Sequence, residues 1–390
     1  MPNFRAFVLF LLSLTLLLPH FALSVAAEPT DLPSVSAHAA ILVEAESGNT
    51  VWARNATERL PMASTTKLMS ALTALSLAPR DRVIVVDPQA VGVEGSSVYL
   101  SEGEELTLEA LLLSLMLESA NDAAVAIAIG LCGSVDAFAA QMNELAAAWG
   151  LQDTHFTNPH GLDDREHYTT ARDLAQIARR VLENEALLKI VSTKKATIPH
   201  EGVNDARLLV NHNKLLRTYD GCIGMKTGFT KKSGRCLVSA AERDGVRMIA
   251  VTLNAPDDWR DHTSLLDYGF SRYRSLLLCE AEALCINSPV VGGTCDTLRL
   301  TNADGVRVTL PSSEQITVRE VVELPRFFYA PITAGEPLGR VVWLADTDGD
   351  GESEVLGESP LIATSSVEQK DGGHGFLLWL RRLFDRWFSN

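Results

Sequence analysis

The chain has 390 residues, 34 Lys+Arg against 49 Asp+Glu, and a formal net charge of -15. Its 46% hydrophobic and 21% charged residues predict a packed core and exclude wholesale disorder, and 26 glycines with 16 prolines exclude collagen-like and low-complexity classes. An acidic balance without clustered Lys and Arg argues against a nucleic-acid partner, because neutralising phosphates needs such clusters.

The first residues read as an address. Met1 to Arg5 carries one positive charge, residues 6–18 (AFVLFLLSLTLLL) are an apolar and hydroxyl run, and a small-residue stretch ends at Val25-Ala26-Ala27. This is the three-part pattern of a secretory signal. The run is short of the roughly 20 residues of a spanning helix. Residues 1–27 are therefore expected to be a signal peptide, with the rest exported; no cysteine follows closely, which argues against a lipoprotein. Export would let disulfides persist among Cys132, Cys222, Cys236, Cys279, Cys285 and Cys295, and the closeness of the last three predicts one local bridge. No Cys/His spacing indicates zinc, and neither metal nor cofactor is expected.

Residues 40–52 (AILVEAESGNTVW) predict two strands around a turn at 46–49. Pro61 precedes an apolar-periodic stretch, Ser64 to Leu77, read as a helix of about four turns. Further helices are expected over 106–117, 123–129, 135–149 and 170–184. From Gly221 the texture changes to strands at 225–230, 235–241 and 246–253, joined by the turns Lys231-Lys232-Ser233-Gly234 and Arg243-Asp244-Gly245. A closing helix is expected over 263–273. Helices around an antiparallel sheet define an α+β domain over 35–275. Short alternating strands at 297–300, 306–310, 315–322, 339–344 and 353–363 predict a small all-β domain over 276–364. In it, Asp346-Thr347-Asp348-Gly349-Asp350-Gly351 resembles the start of a calcium loop, but Gly357 stands where the loop's closing Glu belongs, so a hairpin turn is expected.

Residues 365–375 read as a polar linker, and 376–388 (FLLWLRRLFDRWF) as an amphipathic helix. Phe376, Leu377, Leu380, Leu383, Phe384, Trp387 and Phe388 fall on one face, with Arg381, Arg382, Asp385 and Arg386 opposite. An aromatic face against a basic one suits a membrane interface, and the segment is too short and charged to span. Residues 376–390 are expected to anchor the chain to a membrane surface.

Three elements carry chemistry. In Ser64-Thr65-Thr66-Lys67, a spacing of three puts Ser64 and Lys67 on one helical face. A serine hydroxyl needs a base, and lysine serves if burial and a second cation lower its pKa. In Ser119-Ala120-Asn121, a hydroxyl can relay a proton and an amide can hold both lysine and substrate. Lys226-Thr227-Gly228 lies on a strand that could pair with an extended peptide; Gly228 leaves room for an acyl group, and Lys226 supplies the second cation. Each element alone is weak. Their order and placement together form a strong signal.

With these motifs, and with PMASTTKLMSALTAL, TNPHGL at 157–162, NHNKLL and GMKTGFT, the chain resembles the low-molecular-mass penicillin-binding proteins, the serine-type D-alanyl-D-alanine carboxypeptidases. The resemblance implies the penicillin-binding/β-lactamase-like transpeptidase fold, followed by the β-rich domain and the amphipathic tail. It also implies a two-step acyl transfer on a peptidoglycan stem pentapeptide at the outer face of the cytoplasmic membrane, with β-lactams as inhibitors. Ser64 would be the nucleophile, Lys67 its base and Ser119 the relay. Asn121 would position the network, and Lys226 and Thr227 would bind the terminal carboxylate. The amides of Ser64 and Phe229 would form the oxyanion hole, and Arg260 would assist the carboxylate. His160 in TNPHGL reads as a turn residue. A class A-like β-lactamase shares the motifs, but Ala120 stands where those enzymes usually carry Asp and no Glu-x-x-Leu-Asn stretch appears. A peptidoglycan endopeptidase and a non-catalytic peptidoglycan-binding protein remain as other readings.

Overall fold

The computed structural model describes residues 32–200, 206–313, 316–345 and 353–370. The expected signal peptide, the hairpin turn expected at 346–351 and the expected amphipathic tail lie outside these residues.

Strand β1 (Ala39–Glu44) is buried along its whole length, whereas β2 (Thr50–Arg54) is largely open. A 3₁₀ turn, Ala63–Thr66, leads into helix α1 (Lys67–Leu77). Short strands β3 (Val83–Val85) and β4 (Glu105–Thr107) precede α2 (Leu108–Leu117), α3 (Asn121–Cys132), α4 (Val135–Ala148), α5 (Ala171–Glu183) and α6 (Glu185–Ser192). Side chains of Thr107, Ser134, Thr170 and Asn184 accept hydrogen bonds from amides in the first turns of α2, α4, α5 and α6. The hairpin β5 (Lys195–Ile198) and β6 (Arg207–Val210) and the one-turn α7 (Leu215–Thr218) lead to β7 (Cys222–Thr230), β8 (Gly234–Arg243) and β9 (Val246–Leu253), then α8 (Asp258–Arg272).

The main sheet is antiparallel with order β2-β1-β9-β8-β7. Both of its faces are covered. Ile41, Val43, Val238, Ala240, Ile249 and Val251 pack with the α1–α6 helices, while Ala40, Leu42, Leu237, Ala241, Met248 and Ala250 pack with Leu265 and Leu266 of α8. A strand buried on both sides reads as a continuous apolar run, which explains AAILVE. Helix α1 runs through the larger core, with every residue from Lys67 to Ala74 buried.

The chain passes directly from α8 into β10 (Tyr273–Cys279), which pairs with β13 (Val306–Pro311). A second sheet, ordered β14-β16-β17-β12-β11-β15, is built from β11 (Ile286–Val291), β12 (Thr297–Asn302), β14 (Arg319–Glu323), β15 (Phe328–Tyr329), β16 (Pro337–Ala345) and β17 (Glu354–Ala363). Its core includes Leu298, Leu300, Phe328, Val341, Trp343 and Leu361.

Several local expectations change. Helix α8 begins at Asp258 rather than Thr263, because Asp258 and Asp261 occupy the first turn, where the helix dipole favours acids. Strand β10 begins at Tyr273, so the second sheet takes up the chain slightly before residue 275. All six cysteines are free thiols: Cys236 is buried in the main core, and Cys285 and Cys295 are exposed. The local bridge among Cys279, Cys285 and Cys295 is thus not formed. Among the described residues no single helix is long and apolar enough to cross a membrane, and no group of His, Cys, Asp and Glu could hold a metal ion.

The loop 157–162 packs on α1. Ser70 Oγ donates to Pro159 O (2.6 Å), and Asn158 Oδ1 accepts from Gly161 N (2.7 Å). Gly161 has φ +89°, and a Cβ there would lie 1.9 Å from Ala63 O. Both the backbone conformation and the space demand glycine. Gly161→Ala should therefore lower stability by about 1–3 kcal/mol in denaturant unfolding; an unchanged midpoint would show that the contact is not needed.

Candidate active site

Ser64 sits in the 3₁₀ turn and Lys67 opens α1. In a 3₁₀ turn, side chains three apart eclipse, so the amine is brought beneath the hydroxyl. Lys67 is fully buried, and its Nζ donates to Ser64 Oγ (2.9 Å), Asn121 Oδ1 (2.7 Å) and His160 O (2.6 Å). These three acceptors match the three hydrogens of an ammonium. If one proton leaves, the two firmly held partners, an amide oxygen and a backbone carbonyl, leave the lone pair facing Ser64. Burial is the main cause that holds the Lys67 amine well below the usual lysine range; the Lys226 charge adds to it and Asp122 opposes it.

Asn121 opens α3. Its Nδ2 donates to Glu94 O (2.5 Å) and its backbone NH to Ser96 O (2.7 Å). Asp122 beside it is buried and accepts from Ser97 Oγ (2.6 Å) and from the amides of Val98, Leu100 and Ala123. The loop 94–100 is thereby tied to α3, and Asp122 is occupied in holding it. Ser119 is buried at the head of the turn with φ +62°.

Strand β7 is the sheet edge, and the Ser64 turn packs against it. A Cβ on Gly228 would lie 3.0 Å from Ser64 N, 3.1 Å from Ala63 Cβ and 3.2 Å from Met62 O. The glycine thus lets two backbones meet, a more local reason than room for an acyl group. Lys226 is buried, and its Nζ donates to Thr227 O (2.9 Å). Burial pulls its pKa down from the usual 10.5 to about 7, with Glu118 acting in the opposite direction.

A cleft of about 380 Å³ opens above these groups. It is lined by Ser64, Ser119, Thr227, Gly228 and Phe229, together with Ser96, His212, Lys214, Arg235, Asp258 and Trp259. Arg260 is exposed on α8 and is not among the lining residues, so the expected arginine does not reach this cleft. Arg235 does: the β7–β8 register places it opposite Phe229. It pairs with buried Asp258 (2.8 Å), and its guanidinium lies 5.6 Å from the Trp259 ring centre. That position was readable from the hairpin turn ending at Gly234. His212 and Lys214 were readable only as part of NHNKLL. Asn211 and Asn213 are buried; Asn211 bonds Val191 O and Thr193 O, and Asn213 bonds Gly224 O, which leaves the alternate residues exposed. His160 contributes its carbonyl to Lys67 while its Nδ1 accepts from Leu162 N (3.2 Å). A backbone role of this kind leaves no side-chain signature. Burial and the Lys67 charge hold the His160 ring neutral, at a pKa of about 3.

Three non-glycine residues with positive φ flank the motifs: Ala63 (47°), Ser119 (62°) and Met225 (90°). Such conformations cost about 1–3 kcal/mol each and cluster at functional sites.

A serine on a tight turn, hydrogen-bonded to a buried lysine and backed by a second lysine on a sheet edge, is the arrangement that a serine acyl-transfer centre requires. The chain belongs to the D-alanyl-D-alanine carboxypeptidase family, peptidase S11, whose model matches residues 25–257. It is 31% identical over 360 residues to D-alanyl-D-alanine carboxypeptidase DacF of Bacillus subtilis, covering 90% of each chain. It is 29% identical over 383 residues to DacC of Escherichia coli, covering 94% of this chain and 93% of that one. Among solved structures it is similar to penicillin-binding protein 5 of Haemophilus influenzae, at a TM-score of 0.62 and 27% identity over 87% of this chain and 99% of that one.

The two buried amines oppose folding. Lys226 binds a proton in the unfolded chain between about pH 7 and 10.5 but releases it when folded, so stability climbs as pH rises through that window and the full cost remains below pH 7. Lys226→Met should therefore raise stability at pH 7 by about 1–4 kcal/mol and flatten its pH dependence in that range; a less stable variant at pH 7 would contradict this assignment.

Proposed function

We propose that the protein is a serine-type D-alanyl-D-alanine carboxypeptidase that removes the terminal D-alanine from peptidoglycan stem pentapeptides. The observation that carries the reading is the Lys67 amine, buried and bonded to the Ser64 hydroxyl. Ser64 Oγ attacks the carbonyl of the penultimate D-alanine as its proton passes to neutral Lys67. The oxyanion that forms is held by the amides of Ser64 and Phe229. The C–N bond then breaks, and the departing amine takes a proton through Ser119, leaving free D-alanine and an ester on Ser64. Water attacks that ester and restores the serine. Asn121 keeps Lys67 aimed during both steps. Thr227 meets the substrate's terminal carboxylate, with the Lys226 charge behind it and Arg235 at the rim in the place foreseen for Arg260. A β-lactam, which presents a similar acyl group and carboxylate, would leave a slow ester on Ser64.

The β-lactamase reading needs a carboxylate to drive rapid deacylation. The carboxylate that acts on Lys67 is Asp122, which is already engaged by three amides and a hydroxyl, and the cleft's Asp258 is paired with Arg235. This favours the carboxypeptidase. The protein works outside the cytoplasm, exported by residues 1–27 and held at the outer face of the membrane by residues 376–390.

Ser64→Ala should abolish covalent penicillin labelling and cut D-alanine release at least about a thousandfold in a pentapeptide assay. Release at the wild-type rate would remove Ser64 as the nucleophile. The pH profile adds an independent test. The rate rises as Lys67 loses its proton, and the Lys226 charge makes that loss easier. Lys226→Gln should therefore move the acidic limb of kcat/KM to higher pH; an unmoved limb would mean the two amines do not interact.

A further inference from the structure

Strand β15 is the edge of the second sheet and pairs in parallel with β11, placing Val290 beside Phe328 and Val291 beside Tyr329. Side chains alternate across a strand. Val290 and Phe328 accordingly point into the core, while Val291, Phe327 and Tyr329 remain outside. Phe327 is 44% exposed and Tyr329 69%, and their rings meet edge to face with centres 5.3 Å apart. Arg326, just before them, is also exposed.

The chain leaves the sheet at this same place. Gln369 bridges to Gly293, and Lys370 N donates to Gly292 O (2.8 Å), the residue after Val291. The next 20 residues, 371–390, contain the aromatic and arginine-rich stretch FLLWLRRLFDRWF. The patch is too small for a stable protein partner: an aromatic side chain covers about 150–250 Å² when fully buried, whereas specific interfaces bury upwards of about 1,000 Å². A lipid interface needs no matching shape, and aromatic rings with a polar tip or a neighbouring arginine favour its headgroup level.

We propose that Phe327, Tyr329 and Val291 form a second membrane contact that rests in the headgroup region beside the tail, so that the β-rich domain meets the bilayer by this edge. The proposal rests on the tail being the primary anchor. Two attachments at one edge would fix the orientation of the domain, where a tail alone would act as a tether.

The test uses the full chain, wild type and the double variant Phe327→Ser/Tyr329→Ser, with vesicles of phosphatidylglycerol and phosphatidylcholine at low and high salt. Both substituted side chains are exposed, and an unchanged rate of penicillin acylation checks that the fold is intact. Because the contact is apolar, the variant should bind about tenfold more weakly at both salt concentrations. Wild-type binding with equal affinity in the variant would overturn the patch alone. Tighter binding by the variant would also overturn it, and would mean that the patch holds the tail back from the membrane. No binding by the wild-type chain would overturn both the anchor and the patch.

Discussion

The structure turns on a single amine. Lys67 lies at the start of a helix buried from Lys67 to Ala74, and the three acceptors around its Nζ come from three separate stretches: the Ser64 turn, the head of α3 and the loop 157–162. Burying an ionised amine is expensive, so the same surroundings that hold Lys67 in place also push it towards the neutral form. The second lysine, Lys226, sharpens that push from the sheet edge. Under the proposed function the serine has a base without a histidine: the half-buried His160 and the buried His167 are held neutral, with pKa values of about 3 and 4.

Much of the surrounding architecture serves this placement. Gly161 lets a backbone approach the Ser64 turn where a Cβ would collide, Gly228 does so where a Cβ would be crowded, and Asp122 clamps the loop that receives Asn121. Ala63, Ser119 and Met225 hold positive φ angles in or beside the three motifs. These are local costs in stability, carried by the large core that the five-stranded sheet shares with the helices around it. An active site assembled from strained turns and desolvated charges is stable only on such a scaffold.

The motifs were legible because each is a short run whose spacing has a direct geometric meaning. Ser64 and Lys67 meet because they are three apart, and Lys226 to Gly228 fall on a strand because the β-rich texture begins at Gly221. The doubly buried sheet and its order follow less directly, since AAILVE carries no alternation to show which face is which. Contributions made through the backbone, such as the His160 carbonyl, are silent in sequence. Long-range arrivals are nearly so: Arg235 reaches the cleft through a hairpin register, whereas Arg260, nearer the expected spacing, is exposed on α8 and is not among the residues that line the cleft. The cysteines show the opposite limit. Their number and the expected export invited a local bridge, yet all six are free thiols.

Direct observation of the amine decides the matter. In protein carrying ¹⁵N at lysine Nζ, the Lys67 resonance, assigned with a Lys67→Arg control, can be followed by NMR as pH is raised. The account predicts that it loses its proton well below the range of the surface lysines. A Lys67 that stays charged until those lysines titrate would contradict it, because the serine would then have no base within reach.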